Sequence, residues 1–164
     1  MPIHRWLIPK GLYTPADKAA LAEAIADLYE RRGLPRFYVV VVFVDQEEEG
    51  FYYGGKPVGA KAKQFVRVDV EHIARNFASD ATTTEKHRWM DGYEAVVAPW
   101  TKDRGVHWEV QVKDVCDRDL WHQDGMVPPP LGSLEQKIWK RENRPVPPEE
   151  MEAMKRASEE GASV

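Results

Sequence analysis

Pro2 carries the most distinctive chemistry in this chain. Proline is small enough that an initiator methionine is ordinarily trimmed ahead of it, and removal of Met1 would leave a secondary amine at the chain end. A free α-amino group titrates near ~8, and burial beside cations lowers that value toward the range where a base works best at neutral pH. Such an amine can act as general base or as nucleophile. Arg75 has the planar fork suited to a carboxylate, and could equally form a surface ion pair with Glu71. His72, at a predicted strand end, can make a second anion contact or donate a proton, because histidine titrates near neutrality. Tyr29 falls on the buried edge of a predicted helix, where its phenol serves either the core or a substrate. His4 shares a strand face with Pro2. Glu109 can orient a substrate or pair with a neighbouring cation. Trp121 and Gln123 are candidates for a pocket wall, Trp121 also for an anchor of the tail.

Other chemistries find less support. His4, His72, His87, His107 and His122 show no ligand spacing, so no metal centre is expected. Cys116 is the single cysteine; it has no evident base partner and permits no intramolecular disulfide. The formal net charge of −4 argues against nucleic acid as a partner. The longest apolar run, Phe37 to Val44, is too short to span a bilayer, and no signal peptide is apparent, since His4, Arg5 and Lys10 break the first apolar run. A cytoplasmic location is expected.

These residues need elements to position them. At 164 residues, 43% of them hydrophobic and six of them tryptophan, the chain can build a substantial core. Ile3 to Ile8 reads as a strand. Thr14 is a good N-cap, with Pro15 at the first helical position and Asp17 complementing the positive helix end. Leu21, Ile25, Leu28 and Tyr29 share one helical face up to about Arg32, and Gly33 and Pro35 stop the helix. The run from Phe37 to Val44 lacks alternation and predicts a strand covered on both faces. Phe51 to Pro57 reads as a glycine-containing hairpin or loop.

The pattern then repeats. Phe65 to Glu71 alternates as a half-buried strand, its Arg67, Asp69 and Glu71 facing solvent or a polar subunit contact. Thr82 to Thr84 offer caps for a helix with Trp89, Tyr93, Val96, Val97 and Trp100 on its apolar face; Gly92 weakens it slightly and Pro99 ends it. Val106 to Val112 is the last strand. The fold class is therefore α/β (α+β): a double β-α-β with a four-stranded mixed sheet and two main helices on one face. Residues 1–127 form that domain. Residues 128–164 form a proline-rich extension packing on its own or a neighbouring subunit, with a helical piece at Ser133 to Glu142 and a charged end from Glu149 that is a loosely attached helix or disordered; Asp117 to Trp121 reads as a short helix before it. Two helices cannot cover both faces of the sheet, which makes self-association plausible.

The Met1-Pro2 strand, the Tyr13-Thr14-Pro15 helix start, the valine strand and the second β-α-β together resemble the tautomerase superfamily. Within it the chain is similar to the branch containing cis-3-chloroacrylic acid dehalogenase. Gly33-Leu34-Pro35-Arg36-Phe37-Tyr38-Val39-Val40, Val70-Glu71-His72-Ile73-Ala74-Arg75 and Trp121 through Pro130 resemble its fungal members. The resemblance spans residues 2–147. It implies a homotrimer with the active site around Pro2, arginines for a substrate carboxylate, and neither metal nor organic cofactor. Arg75 matches the second of two carboxylate-binding arginines; the first falls on Glu71 or His72 and is not preserved. The dehalogenase's helix histidine falls on Tyr29, its last-strand tyrosine near Val110, and its water-activating glutamate near Trp121 to Gln123.

These departures argue against hydrolytic dehalogenation and for a tautomerase, which needs only a base and a cation to hold the acid and stabilise an enolate. Small 2-oxo or enol acids, such as a phenylenolpyruvate-like compound, are the expected substrates. Water addition to an unsaturated acid is the alternative, and a non-catalytic trimeric binding protein is a third.

Overall fold

The computed structural model describes residues 2–59, 64–74, 76–114 and 120–161. Strand β1 (Ile3–Pro9), helix α1 (Pro15–Arg31) and strand β2 (Val40–Gln46) form the first unit. A small hairpin of β3 (Tyr52–Tyr53) and β4 (Lys56–Pro57) follows. Strand β5 (Phe65–Glu71), helix α2 (Thr83–Val97) and strand β6 (His107–Lys113) form the second unit, and helices α3 (Leu134–Glu142) and α4 (Pro148–Gly161) complete the chain.

The sheet runs β2-β1-β5-β6. Each outer pair is parallel, as a β-α-β crossover requires, and the two units meet through antiparallel β1 and β5, with His4 opposite Val70 and Trp6 opposite Val68. Both main helices start in the same way. The Thr14 hydroxyl accepts the Asp17 amide at 3.1 Å while Asp17 accepts the Thr14 amide at 3.0 Å; Thr82 and Glu85 repeat this at 3.2 and 2.8 Å. Each exchange satisfies two amides that no helical carbonyl can reach.

Strand alternation sorts the sheet into two faces. His4, Trp6, Ile8, Val66, Val68 and Val70 lie wholly buried on the helix side, with Leu21 and Ile25 of α1 and Tyr93 and Val97 of α2 against them. The other side carries Ile3, Arg5, Leu7, Arg67, Asp69 and Glu71, all half-buried.

Three expectations are corrected. The valine run is not buried on both faces: among the described residues β2 pairs with β1 alone, and Val42 and Val44 are 39% and 37% exposed. Continuous valine does not by itself tell a strand under a second protein layer from one with an open face. The strand also begins at Val40, since Arg36–Tyr38 form one 3-10 turn after Pro35. Finally, α2 ends at Val97, and Trp100 closes a short 3-10 turn whose second residue is Pro99.

The extension packs on its own chain. Ser133 caps α3, whose Ile138 and Trp139 join the core. Gln136 donates to the Gly33 carbonyl at 3.0 Å, Lys140 to the Glu30 carbonyl at 3.1 Å, and Asn143 accepts the Phe37 amide at 3.0 Å. Met151 anchors α4. Of the expected piece at Asp117 to Trp121, residues 117–119 lie outside the described residues. No helix among the described residues is long and apolar enough to cross a membrane.

Candidate active site

A cavity of about 750 Å³ opens at the end of the sheet where β1 begins and β5 ends. Pro2, Tyr29, Arg32, His72 and Trp89 line it, with Leu34, Ile73 and Phe77 adding apolar wall and Arg88 and Glu85 from α2. Buried Pro2 sits at the start of β1, its carbonyl held by the Val40 amide at 3.0 Å.

Tyr29 and Arg32 arrive through the end of α1. Gly33, at φ +94°, reverses the chain; its amide reaches Glu30 O at 2.9 Å and the Leu34 amide reaches Tyr29 O at 3.1 Å. Glycine adopts this left-handed conformation without steric cost, so the helix closes on its own last carbonyls. Arg32 caps that end, where a cation complements the helix dipole. The bonds from Gln136 and Lys140 fix the same turn from outside, so the extension helps to hold Arg32 in place.

Arg32 lies over the Trp89 ring, 5.5 Å from its centroid. Gly92, one turn further along α2, leaves room for it: a Cβ there would stand 3.0 Å from an Arg32 terminal nitrogen. Sequence reasoning missed Arg32 as a site residue. The signal was the mid-helix glycine, which costs a helix up to ~1 kcal/mol and so asks for a packing reason.

His72 continues the β5–β6 pairing by one step, its amide donating to Lys113 O at 3.0 Å, and so comes alongside Asp114. Its Nε2 lies 2.9 Å from the Tyr29 hydroxyl, and its Nδ1 3.6 Å from Asp114 Oδ1. The other Asp114 oxygen accepts the Phe77 amide at 2.9 Å. The Trp89 ring meets His72 edge-on at 5.0 Å. Burial lowers the His72 pKa, opposed by Asp114 and reinforced by Arg32; burial likewise raises that of Tyr29. Both groups are therefore neutral at neutral pH.

His4 lies beneath the cavity rather than in its lining. It is fully buried, its Nδ1 3.1 Å from the Tyr93 hydroxyl and its ring edge-on to Tyr29 at 5.4 Å. Burial, with the nearby His72, pushes its pKa down to about 3.

Three other candidates, Glu109, Trp121 and Gln123, are not brought to the cavity. Glu109 projects from β6 on the far side of the sheet and pairs with Arg67 at 2.5 Å. Trp121 is buried edge-on against Tyr38 at 4.8 Å, and Gln123 exchanges backbone bonds with Met126 at 2.9 Å. Arg75, like Cys116, lies outside the described residues. Glu71, a possible partner for Arg75, bonds Arg5 at 2.8 Å.

The arrangement offers a buried proline, a cation stacked on an aromatic wall, and a neutral tyrosine–histidine pair in one pocket. The family model Tautomerase_3, described as "Putative oxalocrotonate tautomerase enzyme", matches residues 1–144. The chain belongs to this tautomerase family. RhCC from Rhodococcus jostii RHA1 is 40% identical, with 88% of this chain and 99% of that one covered and a TM-score of 0.80. A probable enzyme from the thermophilic fungus Aspergillus fumigatus is 33% identical, with 90% and 97% covered and a TM-score of 0.78. N1, a member of the cis-3-chloroacrylic acid dehalogenase family, shares the fold at 18% identity, with 86% and 97% covered and a TM-score of 0.60. No curated protein matches the chain.

Proposed function

We propose that this member of the tautomerase family is a cofactor-independent tautomerase of small 2-oxo or enol carboxylic acids, with Pro2, freed by removal of Met1, as its general base. The observation that carries this reading is the single cavity shared by Pro2, Tyr29, Arg32 and His72. Pro2 takes a proton from the enol oxygen or an acidic carbon and returns it at another carbon of the same substrate. Arg32 holds the carboxylate and stabilises the developing enolate, as a preoriented cation in a partly desolvated site does. Arg75 is a second carboxylate contact by resemblance. Tyr29 and His72 shape and polarise the pocket, and Trp89, Phe77 and Ile73 accommodate an apolar substituent.

The assembly proposed is a homotrimer in the cytoplasm. The half-exposed sheet face, with Val42 and Val44 on it, supports self-association because open apolar sheet surface is what a neighbouring subunit covers.

The test is phenylenolpyruvate ketonisation followed by ultraviolet absorbance, on protein whose N-terminal mass shows Met1 removed. Activity that falls by roughly 10²-fold or more in Pro2→Ala supports the reading, that being the usual contribution of a general base. Trimmed protein without activity on this and related enol acids defeats it and leaves a binding role for the cavity. A second reading, water addition to an unsaturated acid, uses the same proline and the same cavity; hydration of an acrylate or propiolate, without ketonisation, would select it.

A further inference from the structure

Two buried polar atoms at the back of the cavity face each other without a hydrogen-bond partner: His72 Nδ1 and Asp114 Oδ1, 3.6 Å apart. A slight closure turns this approach into a charge-assisted hydrogen bond, provided that Nδ1 carries the proton. The other ring nitrogen, Nε2, is 2.9 Å from the Tyr29 hydroxyl. A neutral imidazole has one donor and one acceptor, so the tautomer dictates which way the Tyr29 hydrogen points.

The two tautomers are unequal here. With the proton on Nε2, the Nδ1 lone pair would face a carboxylate oxygen in a buried setting, two acceptors with no hydrogen between them. With the proton on Nδ1, both orphan atoms gain a partner, and buried polar atoms left unmatched are costly. The Asp114 carboxylate cannot readily turn away, because its second oxygen is engaged by the Phe77 amide at 2.9 Å.

We propose that Asp114 is the positioning residue of this site: it holds His72 as the Nδ1–H tautomer, so that Nε2 accepts the Tyr29 hydrogen and the Tyr29 oxygen presents a lone pair, not a proton, to the cavity. The proposal rests on the reading of Pro2 as the base and divides the roles around it. Tyr29 accepts from the protonated Pro2 amine and so orients it. Arg32 alone among these groups then serves the substrate's negative charge. The chain is positional; His72 and Asp114 do not exchange a proton with substrate.

The test is the imidazole ¹⁵N spectrum of the full-length, histidine-labelled protein, with His72 assigned through His72→Gln. The wild type is expected to show a protonated Nδ1 and an unprotonated, acceptor-type Nε2 at neutral pH. Asp114→Asn keeps an oxygen for the Phe77 amide and turns its NH₂ toward Nδ1, so the tautomer should reverse. In the same variant kcat for ketonisation should fall roughly 10- to 100-fold with KM within about twofold, as expected when a reversed tautomer misdirects a hydrogen without removing a substrate contact. A wild-type Nε2–H tautomer, an unchanged tautomer in Asp114→Asn, or a reversed tautomer with undiminished kcat would each overturn the proposal. If Asp114→Asn does not fold, the wild-type spectrum still decides. Failure of the Pro2 reading shows separately, as an inactive wild type whose His72 spectrum is nonetheless that of Nδ1–H.

Discussion

The two β-α-β units share a topology and a helix-starting device, yet they differ in what they expose and in what they send to the cavity. The first unit ends in an apolar edge strand, with Val42 and Val44 on the open face; the second ends in a polar one, with exposed Glu109 and Gln111. The first contributes Pro2, Tyr29 and Arg32, of which Pro2 is the proposed base and Arg32 the proposed cation. The second contributes His72, 2.9 Å from the Tyr29 hydroxyl, and Trp89, under Arg32, with Asp114 behind His72. On the proposed reading, one half of the repeated scaffold presents the base and the cation and the other half orients them.

The open face offers the largest contrast. Val42→Asp places a charge where a neighbouring subunit is proposed to cover the sheet, and an unpaired charge there costs several kcal/mol; the trimer should dissociate at micromolar concentration in light scattering. Gln111→Glu, on the polar edge, should leave the mass unchanged. Equal effects of the two would erase the distinction between the edges.

Within the cavity, Arg32→Ala should lower kcat/KM roughly 10- to 100-fold, the worth of about one charge-assisted hydrogen bond to a carboxylate. Arg88→Ala, from the exposed part of α2, should change it less than about threefold. Steady-state kinetics on one enol acid compares the two directly, and a larger loss at Arg88 would move the carboxylate to the second unit.

Stability should also depend on pH through the two buried histidines. His4 and His72 have folded pKa values below the ordinary 6.5, so in the window below 6.5 the unfolded chain binds more protons than the native one. Unfolding free energy should fall as pH drops from about 6.5 toward 5, by up to about 1.4 kcal/mol per pH unit for each histidine that stays neutral in the fold. Chemical denaturation at several pH values checks this, and His4→Gln should flatten the slope. A slope that persists undiminished would remove His4 from the account.

Gly92→Ala gives the smallest and most diagnostic effect. Helix propensity should raise stability by up to ~1 kcal/mol, while the new methyl displaces the Arg32 guanidinium by a few tenths of an ångström. The expected outcome is a higher melting temperature with KM raised a fewfold. Improved stability without any kinetic change would show that Gly92 does not make room for a working Arg32.

Much of this was legible in the chain. Thr14 with Asp17 and Thr82 with Glu85 mark both helix starts, because capping is a local exchange between residues three apart. Gly33 marks the turn that ends α1, and the alternation of β5 gives its two faces. The Met1-Pro2 start, and then the family resemblance, pointed to Pro2, and strand and helix patterns placed Tyr29 and His72 at element ends. Arg32, by contrast, reads in sequence as one of two ordinary basic residues, Arg31 and Arg32, after a surface helix. Only the packing of α1 against α2, with Trp89 beneath its guanidinium and no side chain at Gly92, selects it. Asp114 was equally hidden, since its meaning depends on the β5–β6 register that sets it beside His72. Glu109, by contrast, reads in sequence as a candidate, and the sheet places it against Arg67 on the far face.

The sequence by itself determined the elements, their caps and the order of two β-α-β units, because these follow from neighbours a few residues apart and from periods of two and 3.6. The tertiary structure alone decided which polar residues share a cavity, which valines remain open and which groups flank the two ring nitrogens of His72. Those depend on strand register, crossover packing and the competition of buried donors and acceptors for partners far apart in the chain.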